Sequence, residues 1–389
     1  MELKKDARIA IVCRAGPVNG PFSAQAAATF RKGLQMNGRD IAGIYAVSGS
    51  SSTALLGCIN KEDELCDIWF NLTPQEIVGD KDELDELAKF VKRFESWRTM
   101  LPQAGDIKRI KKLLPAVKRL KQGHVFSNSS LYRLIDKHCH KYLDQIFGPE
   151  AILMKVGAVD YLTGQHVIFS NKIPEHKEFI FLGVVASMCI VPLFLSFAVK
   201  KPQQFKLVEK THSLFDSILL IDGGYRASLL LEEAIRESGG YDAIFIIDIS
   251  GLEYEEVDPK APYNLVTEIQ RAQSIASTTN DRLRQSLVDR IDEEIQVRDE
   301  FIKLKKFFSD PFFIDQLIER MNNGRLRLGD KHTTVRGMIS NPRSLIPFDF
   351  SNFTQGEVAH LMRAGHNAAL RMLRQLGLST EGLPLIKPR

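Results

Sequence analysis

The stretch Ile41–Gly57, IAGIYAVSGSSSTALLG, decides how the rest of this chain is read. Ile41 to Val47 is small and apolar apart from Tyr45, and has the length of a buried strand. After Ser50 the run Ser-Ser-Thr-Ala-Leu-Leu-Gly supplies small capping residues and then a helical apolar pattern. Ser48, Gly49 and Ser50 lie between the two. A strand that turns sharply into a helix holds one serine strained at the corner, and crowding there demands small residues two before and two after it. With Ser50 at the corner, those neighbours are Ser48 and Ser52, small but not glycine. The helix that begins there turns its free N–H groups, Ser51 first, toward an oxyanion formed beside Ser50. The same residues also read as a serine-rich turn with an N-cap and no chemistry.

With 389 residues, 44% of them hydrophobic and 26% charged, the chain has ordinary globular composition. It can bury a large core, as one α/β domain or two smaller ones. A net charge of +4 is too weak to argue for nucleic acid, and neither zinc-ligand spacing nor an RNA-binding signature is present. The five cysteines are odd in number and scattered, so the expected compartment is reducing and a disulfide framework is not expected. The N-terminal apolar run is short and ends in Arg14, which does not fit a cleavable signal peptide. The expected localisation is cytoplasmic, with peripheral membrane association.

Upstream of the central stretch, Arg8–Cys13 reads as a strand, RAGPVNGPFS as a loop holding Gly16 and Gly20, and Ala24–Met36 as a helix. Strand, glycine-bearing loop and helix together place backbone N–H groups around an anion, either a phosphate or a tetrahedral oxyanion. The loop is neither a Walker loop nor a dinucleotide fingerprint, and it reads equally as an ordinary connection.

From 60 to 125 charge density rises and helical periodicity takes over. Asp82–Trp97 and Asp106–Gln122 are amphipathic, and the second has a basic face including Lys108, Arg109, Lys111 and Lys112. A basic amphipathic helix lies on an anionic membrane or, alternatively, packs on its own domain with the charges solvated. The region is expected to be a helical insertion or lid over the site. Phe179–Val199 contains no charge and reaches the length of a membrane span, but Gly183, Ser187 and Pro192 interrupt it. It divides more naturally into a buried helix and an apolar loop, suited to wall an acyl chain. His138-Cys139-His140 does not suit a metal, because consecutive helical residues point in different directions.

A second informative stretch is Phe215–Ser250. Ser217–Ile221 reads as a strand, Asp222-Gly223-Gly224 as a tight turn, Leu229–Ser238 as a helix and Ala243–Ile249 as another buried strand. An acid at a strand's end before two glycines either forms the turn or approaches another loop closely.

Taken together, these residues resemble the patatin-like phospholipases over nearly the whole chain. That family carries a Gly-x-Ser-x-Gly elbow, which falls on Ser48–Ser52 with Ser50 as nucleophile, and a catalytic aspartate in an Asp-Gly-Gly or Asp-Gly-Ala turn, which falls on Asp222. HVFSNSSLYRLI, VGAVDYLTGQHVIFSN, ASMCIVPLF and FDFSNFTQGEVAHLMRAGHNAALRML are similar to further family segments in the same order. The resemblance implies a single domain over 1–389, a three-layer α/β/α fold with a mostly parallel central sheet, an insertion at 60–125 and a frayed tail at 377–389. It implies a serine–aspartate dyad without histidine, metal or cofactor, acting on phospholipids or other fatty-acyl esters. An oxyanion would be held by Gly16, Gly20 and Ser51.

The sequence departs from the family in both elbow glycines, which are serines here, and in the oxyanion loop, which lacks the form Gly-Gly-Gly-x-Arg-Gly. Two other classes compete. One is a histidine-assisted α/β-hydrolase using His332, His360 or His366, all of which follow Asp222. The other is a patatin-fold protein that binds lipid or a partner without turnover.

Overall fold

The computed structural model describes residues 3–79, 126, 128–191, 193–207, 217–250, 334–344, 346, 348–350 and 352–383, with a few helical positions between 297 and 319. The amphipathic pair at 82–97 and 106–122, with the lid and membrane-contact expectations placed on it, lies outside the described residues, as does the tail beyond 383.

Among the described residues eight strands form one sheet: β1 (Ile9–Cys13), β2 (Ile41–Val47), β3 (Leu153–Asp160), β4 (His166–Ser170), β5 (Phe197–Lys200), β6 (Ser217–Asp222), β7 (Ala243–Ile247) and β8 (Thr334–Ile339). Their order is β5-β6-β3-β2-β1-β7-β8, with β4 also paired to β3. The run β3-β2-β1-β7-β8 is parallel throughout. The antiparallel pairings are those of β4, β5 and β6.

Parallel strands covered on both faces need apolar residues at every position, and IAIVC and AIFII supply them. In β1, Ile9, Ile11 and Cys13 enter one apolar cluster, whereas Ala10 and Val12 enter another with Tyr45, Tyr241 and Leu229–Leu231. Helices α1 (Asn19–Met36), α2 (Ser51–Gly57), α3 (Glu62–Asn71), α4 (Pro74–Val78), α5 (Ser129–Cys139), α6 (Ile180–Ser187) and α8 (Gln355–Gln375) contribute to the first cluster. Helix α7 (Leu231–Ile235) contributes to the second. The expected three-layer α/β/α architecture with its mostly parallel sheet is therefore the one observed.

Helices α1 and α8 cross where Gly365 meets Phe22, and a side chain at Gly365 would collide with the Phe22 carbonyl. A capping box of Thr354 and Glu357 starts α8. Helix α1 begins at Asn19, five residues before the expected Ala24, because Pro21 falls in its first turn, where a missing N–H is harmless. Phe179–Val199 becomes α6, a turn and the start of β5. No described helix is long and apolar enough to cross a membrane. At the start of the expected tail the Asn37 side chain bonds both the carbonyl and the N–H of Ser379, and Leu378 N–H reaches Leu373 O.

The register explains where the chain brings its strand ends together. Residues 155–157 of β3 pair with both β2 and β4, and residues 158–159 pair with both β4 and β6. Each strand has two edges, so β2 and β6 share the edge of β3 that β4 does not use. They run toward each other along it and meet head to head, Val47 opposite Gly157 and Asp222 opposite Ala158.

Candidate active site

Strand β2 keeps its pairing through Val47, so the corner falls on the next residue, Ser48. Ser48 has φ 59°, in the left-handed region that costs a non-glycine residue energy and marks functional corners. Its Oγ donates to Asp222 Oδ2 at 2.6 Å, and its N–H donates to Ser187 Oγ at 2.8 Å. The serine facing the aspartate is therefore Ser48, not Ser50. By Ser50 the backbone is already helical, with φ −79° and ψ −7°. The Ser50 hydroxyl donates instead to Arg14 O at 2.7 Å and receives Ser23 Oγ at 3.2 Å, tying the start of α2 to the loop after β1. The small-neighbour rule fits Ser48 equally well, with Ala46 and Ser50 in the flanking positions. The signal that separates the two serines is the end of the apolar strand at Val47.

Asp222 is fully buried at the end of β6. Its Oδ1 accepts Gly224 N–H at 2.6 Å, and its own N–H donates to Cys189 O at 3.0 Å. Gly223 has no room for a side chain, since a Cβ would press on Gly157 O and lie 2.7 Å from Val47 Cγ1. The two glycines thus let the turn close against the meeting point of β2 and β3. Burial first, and then the Asp222 charge, raise the Cys189 thiol and the Tyr225 phenol above their ordinary values, so both stay neutral. Ser187, at the end of α6, also takes Ser51 Oγ at 3.0 Å and gives its own proton to Gly157 O at 2.6 Å. It fixes the Ser48 backbone to β3. Ser52 Oγ bonds Gly49 O at 3.3 Å within the first turn of α2.

Of the three residues expected to supply oxyanion donors, Gly16 lies beside the corner. It has φ 125°, and its carbonyl would lie 2.6 Å from a Cβ on Gly49, so the two backbones pack directly beside Ser48. Gly20 does not reach the site: it lies in the first turn of α1 beneath Trp69, and its N–H bonds Pro17 O at 3.2 Å. Ser51 is excluded as well, because its N–H closes the turn onto Ser48 O. The backbone N–H that follows the corner serine belongs to Gly49.

A second buried network holds the loop between β1 and α1. Arg14 reaches Asp248 Oδ2 at 3.0 Å, Ser250 Oγ at 2.5 Å and Ser228 Oγ at 3.2 Å. Asn19 bridges the same cluster, donating to Asp248 Oδ1 at 3.4 Å and accepting Ile249 N–H at 3.0 Å. Asp248 closes β7 as Asp222 closes β6, and that shared position is the sequence signal by which it is found. Two of the three candidate histidines have partners elsewhere: His366 Nδ1 pairs with Thr29 Oγ1 at 3.0 Å and His360 Nε2 with Ser344 O at 2.9 Å. His332 lies outside the described residues. On α5, Cys139 is buried while the next residue, His140, faces Asp136 at 2.9 Å, as the helical geometry requires.

No family model and no curated protein matches the sequence. Among solved structures the chain is similar to VipD from Legionella pneumophila, with a TM-score of 0.39 and 9% identity, covering 96% of this chain and 68% of that one. A likeness so loose carries no argument about fold or chemistry, which rest here on the sheet and on the geometry around Ser48.

Proposed function

We propose that this chain is a serine hydrolase of the patatin-like type that cleaves fatty-acyl esters, phospholipids first, with Ser48 as nucleophile and Asp222 as its base. The observation that carries the reading is the 2.6 Å bond from Ser48 Oγ to Asp222 Oδ2, made by a serine held at positive φ where a strand turns into a helix. Asp222 takes the hydroxyl proton as Oγ attacks the ester carbonyl, and the alcohol leaves with that proton. The oxyanion is received by backbone N–H groups at Gly49 and in the Gly16 turn. Water, deprotonated by the same carboxylate, then releases the fatty acid. The engagement of His360 and His366 with partners remote from Ser48 favours this dyad over a histidine-assisted mechanism.

The test is fatty-acid release from phospholipid vesicles and hydrolysis of a soluble aryl ester, by the native chain and by Ser48→Ala, Ser50→Ala and Asp222→Asn. Ser48→Ala is expected to lower kcat by roughly 10⁴-fold or more, and Asp222→Asn by about 10²–10⁴-fold. Ser50→Ala is expected to stay within about tenfold of the native rate, since it loses one buried hydrogen bond. Turnover that survives Ser48→Ala and vanishes in Ser50→Ala would return the nucleophile to Ser50. Folded native protein with no turnover on either substrate would end the hydrolase reading.

A further inference from the structure

Strand β6 outruns its neighbour β5. Their ladder stops at Leu220, opposite Phe197, whereas on its other edge β6 stays paired with β3 through Asp222, opposite Ala158. Past that point the loop after α6 takes the place of β5, and the Asp222 N–H donates to Cys189 O at 3.0 Å. The loop is itself anchored. Cys189 N–H reaches Ala186 O at 3.1 Å, Phe194 N–H reaches Ile190 O at 2.9 Å, and Ile190 and Leu193 are buried.

The same loop is gripped a second time, from beyond the aspartate. The turn Gly223–Tyr225 closes on itself, with the Arg226 and Ala227 N–H groups both on Gly223 O at 3.1 Å. Tyr225, its last residue, donates its hydroxyl to Val191 O at 2.5 Å. Between the two grips lie Gly223 and Gly224, the residue type with the widest backbone freedom. Gly224 also supplies the N–H that Asp222 Oδ1 accepts at 2.6 Å. A tilt of the turn therefore moves that donor, and with it the carboxylate whose Oδ2 faces Ser48 Oγ. Tyr225 is 40% exposed and Val191 half-buried, so water can replace their bond at little cost to the fold. The phenol stays protonated and able to donate, because burial first and then the Asp222 charge raise it above its ordinary value.

We propose that Tyr225 is a positioning residue for the Asp222 base, its hydroxyl fixing the turn so that Oδ2 stays aimed at Ser48. This deepens the hydrolase reading and rests on it. The test is steady-state kinetics on the soluble aryl ester with native protein, Tyr225→Phe, Tyr225→Leu, Asp222→Asn and the double variant Tyr225→Phe/Asp222→Asn. Tyr225→Phe is expected to lower kcat by roughly tenfold with KM near native, since a small misplacement of a reacting group is costly. Its thermal midpoint should stay native. Tyr225→Leu should match it, because both lack the hydroxyl. Weaker hydrogen bonding to the carboxylate raises its proton affinity, so the acid limb of kcat/KM should move to higher pH in Tyr225→Phe. In the Asp222→Asn background the same change should leave the residual rate within about twofold, because no base is left to aim.

The proposal is overturned if Tyr225→Phe keeps the native kcat while Tyr225→Leu loses it, because the ring and not the hydroxyl then matters. It is overturned as well if KM rises while kcat stands, since the tyrosine would then be touching substrate. Equal slowing of the native chain and of Asp222→Asn by Tyr225→Phe also overturns it, because the hydroxyl then acts independently of the base. Native turnover left intact by both substitutions at Tyr225 ends this inference alone. Native protein that hydrolyses nothing ends the hydrolase reading and this one with it.

Discussion

Asp222 and Asp248 are the same residue type in nearly the same place. Each is fully buried, and each lies at or just past the carboxyl end of a strand of the one sheet. What reaches their oxygens differs. Asp222 receives the Ser48 hydroxyl and a backbone N–H, whereas Asp248 receives the Arg14 guanidinium, the Ser250 hydroxyl and the Asn19 amide. A buried carboxylate matched to a guanidinium is a structural ion pair whose loss strands a charge. One that faces a strained serine is arranged to take a proton. Burial and strand position alone do not tell the two roles apart; the donors do.

The comparison is tested hardest by exchanging the same substitution between the two sites. Asp222→Asn should remove most turnover while the thermal midpoint moves little, since an amide fills the same volume and still accepts from Gly224. Asp248→Asn should do the reverse, destabilising the fold by about 3–5 kcal/mol because the buried Arg14 guanidinium loses its Asp248 carboxylate. Its kcat per folded molecule should stay within about tenfold of native. Denaturant melts and single-substrate kinetics on both variants read this directly, and similar kinetic losses in the two would erase the distinction drawn here.

A smaller contrast involves the two serines that serve these sites. Ser187 holds the Ser48 backbone to Gly157, and Ser228 accepts from Arg14 Nε. Ser187→Ala leaves buried backbone groups without their partner, a cost of about 1–3 kcal/mol, and should slow the reaction as well by loosening Ser48. Ser228→Ala should cost roughly 1 kcal/mol and leave the rate unchanged. A Ser228→Ala variant slower than Ser187→Ala would place the Arg14 network closer to the chemistry than its geometry does.

Much of this arrangement is legible in the residues. The unbroken apolar runs IAIVC, IAGIYAV and AIFII announce strands buried on both faces, and Asp222-Gly223-Gly224 announces a turn that approaches another backbone. The corner itself is harder. Ser48, Ser50, Ser51 and Ser52 are interchangeable to a rule about small residues, and only the pairing of Val47 with Gly157 fixes which of them leaves the sheet first. Gly20 reads as a loop residue until Pro21 is recognised as a first-turn proline. Strand β8 is hidden because TVRGMI breaks its apolar pattern with Arg336 and Gly337, the latter packed under Met372. The meeting of β2 and β6 along one edge of β3 is a matter of register, and no local pattern in either strand encodes it.

The smallest expected effect concerns protons away from both aspartates, and it separates the dyad from a histidine mechanism. Burial lowers the proton affinity of His366 and His176, and His176 Nδ1 already accepts the Ser170 N–H at 2.9 Å. In the unfolded chain these rings titrate near their ordinary value of about 6.5. As pH falls below that value the unfolded chain takes up protons first, so stability is level above about 6.5 and declines below it, by at most about 1.4 kcal/mol per pH unit for each ring. His366→Gln should flatten part of that decline. The kcat/KM of the folded fraction should carry no such limb, because neither ring touches Ser48 or Asp222. If the His366→Gln variant instead loses turnover while its melting curve stays native, the proton from Ser48 is passing through a histidine, and Asp222 becomes an orienting group much as Asp248 is.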